Sequence, residues 1–503
     1  MIFHIIAFLL LSAGLFAPQA QPPATTTQKT ADKASDKPEE TLAPLPADAH
    51  VDQTVQLNGR TLKYTATVGT IPVFAADGKK TGEVVFTSFV MAGADRPVTF
   101  AFNGGPGAAS VFLDLGAIGP KHIAFGDQGD SPSDPPALAD NPGTWLDFSD
   151  LVFIDPIGTG FSRSLVSADQ TKKDFYTTEN DIHYLSRVVF DWLMKNQRLA
   201  SRKYLVGESY GGYRVPRIAH YLQSQVGVAV NGVVAVSPYL NPGIDEQDGL
   251  SPIPWVATLP SIAAANLERQ HKLTAEAMAP VIAYARSDYA ADLLRGRSDP
   301  QALSRIIDRV TAITGLDRAF VQRSGGRIEI GAYLREAYRE QGKIGSVYDS
   351  NVTSFDPFPF APEQRSNDPL LESIVAPTTT AMVDFVTRIV GWHATGAFHA
   401  LSYEVGRQWD NDGHDGAALR RGAVPDLREA VAADPKLRVL IVHGWNDLSC
   451  PFMGSVLTVD QMPVMGDPTR VSVREYPGGH MFYSRSESQA ALRKDVQDMF
   501  AKH

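Results

Sequence analysis

The chain has 503 residues, more than one small domain needs, so it holds either several domains or one large domain with an insertion. Hydrophobic residues make up 44% and charged residues 20% of the sequence, ordinary proportions for a globular protein with a sizeable core. The net charge of −10 and the lack of a Lys/Arg cluster exclude a nucleic-acid partner, because that role needs a basic surface.

The first 20 residues are predicted to be a signal peptide. Residues 2–16 form an apolar run that is too short to span a membrane comfortably, and small residues follow it. A retained N-terminal anchor is the alternative, and only in that case is a membrane expected as a partner. Residues 21–50 are rich in Pro, Ala, Thr, Lys and Asp and predict a disordered linker. The mature protein is therefore expected to be periplasmic or secreted, and its one cysteine, Cys450, allows no internal disulfide.

Residues 51–91 have the pattern of antiparallel strands. Asn58-Gly59 and Asp77-Gly78 are turn signals between segments of strand character. A buried strand is predicted at 97–102, and it runs into Asn103-Gly104-Gly105-Pro106-Gly107. Because the backbone N–H groups of such a loop can converge, it predicts one donor of an oxyanion hole. It lacks the Gly-Lys-Ser/Thr of a phosphate-binding loop.

Strands and helices then alternate along the chain. Strand-like runs are predicted at 151–154, 204–206 and 230–236, and an amphipathic helix at 179–196. This alternation predicts an α/β protein with a doubly wound, mostly parallel sheet.

The sequence changes character between residues 239 and 435, where helical patterns dominate. We predict a mostly helical cap there, inserted into a sheet domain whose two parts are residues 51–238 and 436–503. Within the second part, strands are expected at 437–443 and 471–475, and a helix over 486–500 is expected to close the chain.

The segment Gly207-Glu208-Ser209-Tyr210-Gly211 joins a short apolar strand to a helix-like stretch. A G-x-S-x-G match in that context predicts a nucleophilic serine held out at the end of a strand. Asp447 and His480 each follow a later predicted strand, so all three side chains are expected at the carboxyl edge of one sheet. The order Ser, Asp, His is that of the catalytic triad in α/β-hydrolases.

The roles within this triad follow from acid–base chemistry. His480 is the expected base, because imidazole has a pKa near neutrality, and Asp447 is expected to orient it. The oxyanion donors are expected to be the backbone N–H of Tyr210 and one from the Gly104-Gly105 loop. His443 and Asp155 are the competing His and Asp. No metal and no organic cofactor is implied.

Four blocks of the sequence resemble the serine carboxypeptidases. They are Asn103-Gly-Gly-Pro-Gly107, Asp155-Pro-Ile-Gly-Thr-Gly-Phe-Ser162, Gly207-Glu-Ser-Tyr-Gly211 and Gly479-His-Met481. The resemblance is to a bacterial-type member without disulfides. It implies an α/β-hydrolase fold with an inserted helical cap. It also implies the removal of C-terminal residues from peptides through an acyl-enzyme.

The resemblance also implies roles for single residues. Gly105 and Tyr210 are similar to the oxyanion-hole residues, and Asn103 and Glu208 to the pair that binds the terminal carboxylate of a peptide. Gly104 and Met481 would line the substrate site, with Met481 near the leaving residue.

One departure concerns carboxylate binding: the glutamate that pairs with the carboxylate-binding glutamate in the family is Ala117 here. Since two carboxylates repel, Glu208 is expected to bind substrate in its protonated form, at acidic pH. An esterase or acyltransferase with the same triad, and a binding protein without activity, are the alternative functions.

Overall fold

A computed structural model describes residues 43–93, 95–123, 133, 136–245, 251–362, 364–411 and 422–502. The predicted signal peptide and most of the predicted linker lie outside the described residues. Among the helices of the described ranges, none has the length and apolar character needed to cross a membrane. Residues Leu45–His503 fold as one unit.

Strands in the described ranges run from β1 to β14. They are β1 (Ala49–Leu57), β2 (Arg60–Phe74), β3 (Lys80–Val90), β4 (Val98–Phe102), β5 (Lys121–Ile123), β6 (Leu138–Asp140), β7 (Asp150–Ile154), β8 (Arg163–Ser164), β9 (Lys203–Glu208), β10 (Gly232–Val236), β11 (Lys343–Gly345), β12 (Thr353–Phe355), β13 (Arg438–Gly444) and β14 (Val471–Tyr476).

Helices in the same ranges run from α1 to α16. They are α1 (Val111–Leu113), α2 (Ala168–Phe175), α3 (Thr178–Lys195), α4 (Tyr210–Tyr221), α5 (Pro242–Asp245), α6 (Ile253–Arg269), α7 (Ala275–Tyr284), α8 (Ala290–Arg295), α9 (Pro300–Thr314), α10 (Arg318–Ser324), α11 (Ile330–Glu336), α12 (Pro369–Asp384), α13 (Tyr403–Gln408), α14 (Val424–Ala433), α15 (Phe452–Asp460) and α16 (Ser486–Phe500).

Several short helical turns extend or separate these helices. The π-helical turns are Asp114–Ile118, Leu222–Val226, Ala285–Tyr289 and Phe385–Ile389, and the 3₁₀ turns are Arg339–Gln341, Pro468–Arg470 and Phe482–Ser484.

One mixed sheet organises the fold. Its strands follow the order β1-β2-β3-β7-β4-β9-β10-β13-β14, and β8 pairs with β3 outside this path. Pairs β1/β2, β2/β3 and β3/β7 are antiparallel, whereas every pair from β7/β4 to β13/β14 is parallel. The predicted antiparallel start and mostly parallel sheet are confirmed. The long strands and helices predicted in the sheet region lie within a few residues of their observed positions.

Alternation along the central strands gives the sheet two buried faces, as expected for parallel strands covered on both sides. Val206, Val234 and Val442 point to one face, which α16 covers, and Leu205, Val233 and Ile441 point to the other, which α3 and α4 cover. The middle of the sheet is therefore rigid, and the loops at its carboxyl edge project from a fixed frame.

The register aligns the carboxyl ends of five neighbouring strands, β4, β9, β10, β13 and β14, at that edge. Phe102 pairs with Gly207, Glu208 with Val236, and Val236 with Val442. The next pair, between β13 and β14, ends at Gly444 and Tyr476. The site residues predicted from the sequence lie at the carboxyl ends of these strands or in the segments that follow them.

Between β10 and β13 the described chain is mostly helical, and we propose that it is the predicted cap. Buried side chains of its first part form two clusters, around Leu259 and Val310 and around Met278, whereas Phe385 and Leu427 from its second part join the clusters on the two faces of the sheet. Trp445 and Leu448 from the loop after β13 join the two clusters of the first part, so the helical segment packs on the loop that holds Asp447. The small antiparallel hairpin of β11 and β12 was not predicted, because three-residue strands leave no periodic signal.

A buried carboxylate connects the amino ends of the central strands. Asp150 at the start of β7 is 0% exposed and accepts hydrogen bonds from Arg96 Nε at 2.8 Å and Arg198 Nη1 at 2.6 Å. It also accepts the backbone N–H of Met91 at 3.0 Å. Loops after β3, before β4 and after α3 therefore converge on one side chain.

We predict that Asp150→Ala lowers the free energy of unfolding by about 3–5 kcal/mol, because both arginines lose their buried partner. Urea denaturation followed by circular dichroism measures the effect. The control is Asp191→Ala, whose partner Arg187 has a side chain 67% exposed; it should cost at most about 1 kcal/mol. Equal losses in the two variants would contradict this account.

Candidate active site

Ser209 lies at the sharp turn between β9 and α4. Its φ of 60° and ψ of −123° are unusual for a residue with a side chain, and they keep its hydroxyl at the edge of the sheet. A Cβ at Gly207 would overlap the carbonyl group of Gly211, and one at Gly211 would overlap the carbonyl group of Phe102. Both glycines are thus required by the close approach of β4, β9 and α4.

Asp447 and His480 are in direct contact. The Nδ1 atom of His480 lies 2.8 Å from Oδ2 of Asp447, and the two residues are 3% and 0% exposed. The other carboxylate oxygen, Oδ1, accepts the backbone N–H groups of Ser449 at 2.8 Å and Cys450 at 3.0 Å. These bonds fix the carboxylate, which in turn selects the His480 tautomer with a proton on Nδ1 and leaves Nε2 as the basic nitrogen.

Two contacts hold the His480 loop near Ser209. The backbone N–H of Ser209 bonds to Val236 at 2.9 Å, and the hydroxyl of the next residue, Ser237, donates to the carbonyl oxygen of His480 at 2.8 Å. The Tyr348 ring meets the His480 imidazole edge-on, with ring centroids 5.3 Å apart. In the described chain, no hydrogen bond joins Ser209 Oγ to His480 directly. Such bonds are often long in a free enzyme and tighten when substrate binds.

Electrostatics distinguish His480 from the competing His443. Burial disfavours the charged form of His480, but the charge and hydrogen bond of Asp447 outweigh it and raise the pKa of His480 above 6.5. Burial, together with the nearby charge of His480, lowers the pKa of His443 to about 3. His443 Nε2 also lies 2.8 Å from the Ser455 hydroxyl, so this histidine is a neutral core residue.

Asp155, the competing carboxylate, is bound within the loops around it. It accepts the backbone N–H of Ser110 at 2.8 Å, and its own backbone carbonyl accepts the Ser162 hydroxyl at 2.7 Å. Burial raises its pKa to about 7, although the bond from Ser110 opposes the shift. These contacts stabilise the loop after β7 against the glycine-rich loop.

The glycine-rich loop lies directly against the turn at Ser209. A Cβ at Gly104 would be 2.5 Å from the backbone nitrogen of Tyr210, so only glycine leaves that N–H open. Gly105 has a φ of 99°, in the region that favours glycine. The structure therefore brings the two predicted sources of oxyanion donors together, because Gly104 of the glycine-rich loop lies against the backbone nitrogen of Tyr210.

A buried arginine ties this loop to the helix after Ser209. Arg214 is 0% exposed, and its Nη1 donates to the carbonyl oxygen of Asn103 at 2.6 Å. Its charge is balanced by Asp181, whose Oδ2 lies 2.6 Å from Nε. The guanidinium also lies 4.8 Å from the ring centroid of Tyr210. Sequence analysis did not single out Arg214, because a lone arginine in a helix carries no catalytic signal.

Asn103 and Glu208, the pair predicted to bind the terminal carboxylate of a peptide, contact each other. Asn103 Nδ2 donates to Glu208 Oε2 at 2.8 Å, and both residues are 3% exposed. Asn103 Oδ1 accepts the backbone N–H of Leu113 at 2.9 Å, which sets the orientation of the amide. Burial raises the pKa of Glu208, although the charge of His480 and its hydrogen bonds oppose the shift. Ala117 is 1% exposed and contributes no polar side chain.

Met481 borders a cavity of about 530 Å³. Leu370 and Ile374 give this cavity apolar walls, and Tyr483 and Arg485 also line it. Arg485 bonds to Glu268 and, at 2.7 Å, to Asp349. In the ranges that the structure describes, no group of three or more His, Cys, Asp or Glu could hold a metal ion.

Comparisons with known proteins find similarity to serine carboxypeptidases. A family model described as serine carboxypeptidase matches residues 78–281, which include three of the four blocks that carry the resemblance. Serine carboxypeptidase-like 36 of Arabidopsis thaliana is 28% identical over 184 residues, or 35% of this chain and 36% of that protein. Pheromone-processing carboxypeptidase kex1 of Schizosaccharomyces pombe is 29% identical over 143 residues, or 28% of this chain and 25% of that protein. The chain thus spans about a third or less of the length of these relatives.

The fold has a solved counterpart. The crystal structure of Kex1(delta)p, a prohormone-processing carboxypeptidase from Saccharomyces cerevisiae, superposes with a TM-score of 0.54 at 16% identity, covering 87% of this chain and 91% of that one. The chain is thus similar to the serine carboxypeptidases over residues 78–281, and it has the α/β-hydrolase fold.

Proposed function

We propose that this protein is an exported serine-type carboxypeptidase that removes C-terminal residues from peptides. The observation that carries the proposal is the hydrogen bond between Asn103 and Glu208, adjacent to Ser209. A serine with a general base can hydrolyse many kinds of acyl substrate. A pair of residues beside it that binds a carboxylate selects the C-terminal end of a peptide. The similarity to carboxypeptidases supports this choice.

In the proposed reaction, His480 Nε2 takes the proton of the Ser209 hydroxyl as Oγ attacks the last peptide carbonyl. Asp447 stabilises the imidazolium that forms. His480 then gives the proton to the leaving amine, and the C-terminal amino acid departs. Water, activated by the same imidazole, hydrolyses the acyl-enzyme and restores Ser209.

The backbone N–H groups of Tyr210 and Gly105 are proposed to stabilise the oxyanion. The close packing of Gly104 on Tyr210 and the tether from Arg214 support a preorganised site, since such donors act best when they need not move. Losing one donor of this kind typically raises the barrier by about 3 kcal/mol.

Binding of the terminal carboxylate is proposed to involve Asn103 as an amide donor and Glu208 as a protonated acid. Burial raises the pKa of Glu208 and so favours the neutral form. Because a carboxylate ligand repels ionised Glu208, affinity for free C-termini should fall as pH rises through the pKa of this residue. Gly104 and Met481 would border the bound leaving residue.

Export is proposed from the apolar segment at residues 2–16. A protein in the periplasm or outside the cell would meet peptides with free C-termini. Sequencing the N-terminus of protein secreted by the producing cell would test the export proposal.

We predict that a fluorophosphonate labels Ser209 and that Ser209→Ala abolishes labelling and lowers kcat by about 10⁶-fold. Asp447→Asn should lower kcat by about 10⁴-fold, because His480 loses its tautomer and its counter-charge. Peptide mapping by mass spectrometry and steady-state kinetics make these measurements. Asp426→Asn is the matched control, because Asp426 lies 2.8 Å from His220 without a nucleophile nearby. An active Ser209→Ala variant would exclude the proposed mechanism.

We predict that the two buried histidines titrate far apart. His480 should have a pKa above 6.5 in the wild type and a lower pKa in Asp447→Asn, since the largest contribution that opposes burial is then lost. His443, with a pKa of about 3, should stay neutral across the range in which His480 titrates. NMR of histidine-labelled protein measures both, with His443→Gln as the assignment control. If His480 titrated below 6.5 in the wild type, its pairing with Asp447 would be wrong.

We predict that a blocked dipeptide with a free C-terminus is hydrolysed at least about 100-fold faster than its amide, because the amide cannot accept the same charged hydrogen bonds. The preference should weaken as pH rises. Chromatography of the products over a pH series measures both. Equal cleavage of the acid and the amide would contradict exopeptidase action but would still be consistent with a hydrolase. Turnover of simple esters without peptide products would favour an esterase or acyltransferase.

A further inference from the structure

Glu208 needs a second partner if it is to bind a carboxylate in one defined orientation. The family resemblance places a carboxyl group at position 117, but Ala117 has none. Asn103 alone supplies one hydrogen bond to a side chain that has two equivalent oxygens. A second hydrogen-bond donor is therefore needed to fix the rotation of the Glu208 carboxyl group and the oxygen that carries its proton.

Tyr483 supplies that contact. Its hydroxyl donates to Glu208 Oε2 at 2.7 Å, and the residue is 1% exposed. It comes from the 3₁₀ turn Phe482–Ser484, three residues after His480. Its ring packs on Gly116, where an added Cβ would lie 3.3 Å from Cε2. The tyrosine thus reaches Glu208 past the same helical turn that carries Ala117.

We propose that Tyr483 replaces the missing carboxyl group as the positioning residue for Glu208. Binding of a carboxylate then requires one protonated carboxyl group, that of Glu208, where a pair of acids would require two. This inference rests on the proposed function, because it concerns the site that would hold a peptide C-terminus. Tyr483 acts through Glu208 and does not touch the scissile bond.

The hydrogen bonds decide which oxygen of Glu208 carries the proton. Among the described residues, Asn103 and Tyr483 are the two that donate to Glu208, and both use Oε2. Since Oε2 already receives two donors, the acid proton of Glu208 belongs on Oε1. The Oε1–H group is then the donor that meets the substrate carboxylate.

A tyrosine suits this role better than a second acid when the medium is not strongly acidic. Burial and the adjacent Glu208 raise the pKa of Tyr483 well above its usual value, so its hydroxyl keeps its proton at any working pH. A second carboxyl group could itself ionise within that range, and the two acids would then titrate as a coupled pair. The upper pH limit of recognition then depends on Glu208 alone.

Binding to an inactive background tests the role of Tyr483. Calorimetry would compare a blocked dipeptide acid with its amide on Ser209→Ala. Adding Tyr483→Phe, which removes one oxygen and keeps the ring, should weaken acid binding about tenfold and amide binding less than twofold. Adding Tyr476→Phe is the matched control, because the Tyr476 hydroxyl donates to a carboxylate elsewhere, Asp495 Oδ2, at 2.6 Å; it should change neither.

A pH series distinguishes positioning of Glu208 from a general structural effect. Two charged groups act on Glu208: His480, which lowers its pKa, and Asp447, which raises it. Tyr483 and the Asn103 amide act on it as neutral hydrogen-bond donors. The Tyr483 hydroxyl stabilises ionised Glu208. In Tyr483→Phe the pKa of Glu208 should rise, and the loss of acid binding should move to higher pH than in the parent. With Glu208→Ala added, Tyr483→Phe should have no further effect on acid binding.

The outcomes separate the two proposals. If Ser209→Ala binds acid and amide equally, carboxylate recognition fails and the role of Tyr483 fails with it. If Ser209→Ala prefers the acid and Tyr483→Phe leaves that preference and its pH limit unchanged, only the Tyr483 proposal is overturned. Equal weakening of acid and amide binding would also overturn it, since that result indicates a structural role.

Discussion

The close approach of three backbone segments at Ser209 is the constraint on which the rest of the site depends. β4, β9 and α4 meet there so tightly that Gly207 and Gly211 cannot carry a Cβ. Ser209 is held at a positive φ between them, and strain of this kind persists only where the surroundings enforce it. The parallel strands on either side are buried on both faces and supply that rigidity. The other groups of the candidate site lie on the strands and loops that surround this turn.

Buried charge is the second organising feature of the site. Four ionisable side chains of the candidate site are almost or fully inaccessible to solvent: Asp447, Glu208, His480 and Arg214. Each is hydrogen-bonded to a charged or polar side chain. Unpaired, such groups would destabilise the fold by several kcal/mol. Their pairing also connects separate parts of the chain, since Arg214 bonds to the loop after β4 and the Ser237 hydroxyl bonds to the His480 loop. Stability and preorganisation therefore depend on the same contacts.

Much of the fold was predictable because its signals are local. The Asn-Gly pair predicts the turn at 58–59, helical periodicity predicts α3, and short apolar runs predict β4, β7, β9, β10 and β13. Small strands such as β5, β6, β11 and β12 were missed, because three residues carry no period and their pairing is set by tertiary contacts. For the site, motifs pointed to Ser209, Asn103 and His480, whereas Arg214, Ser237, Tyr348 and Tyr483 belong to no motif and were found from their contacts.

The sequence by itself determined the class of fold, the family resemblance and the residues at the ends of the strands, because these depend on local patterns and short motifs. Only the tertiary structure decided what surrounds Glu208. Position 117 shows that a carboxyl group is missing, but Tyr483 lies 275 residues from Glu208 along the chain, and nothing in either local sequence links them. Their contact arises because β14 and β9 belong to the parallel part of one sheet, and the segments that follow parallel strands meet at the same edge.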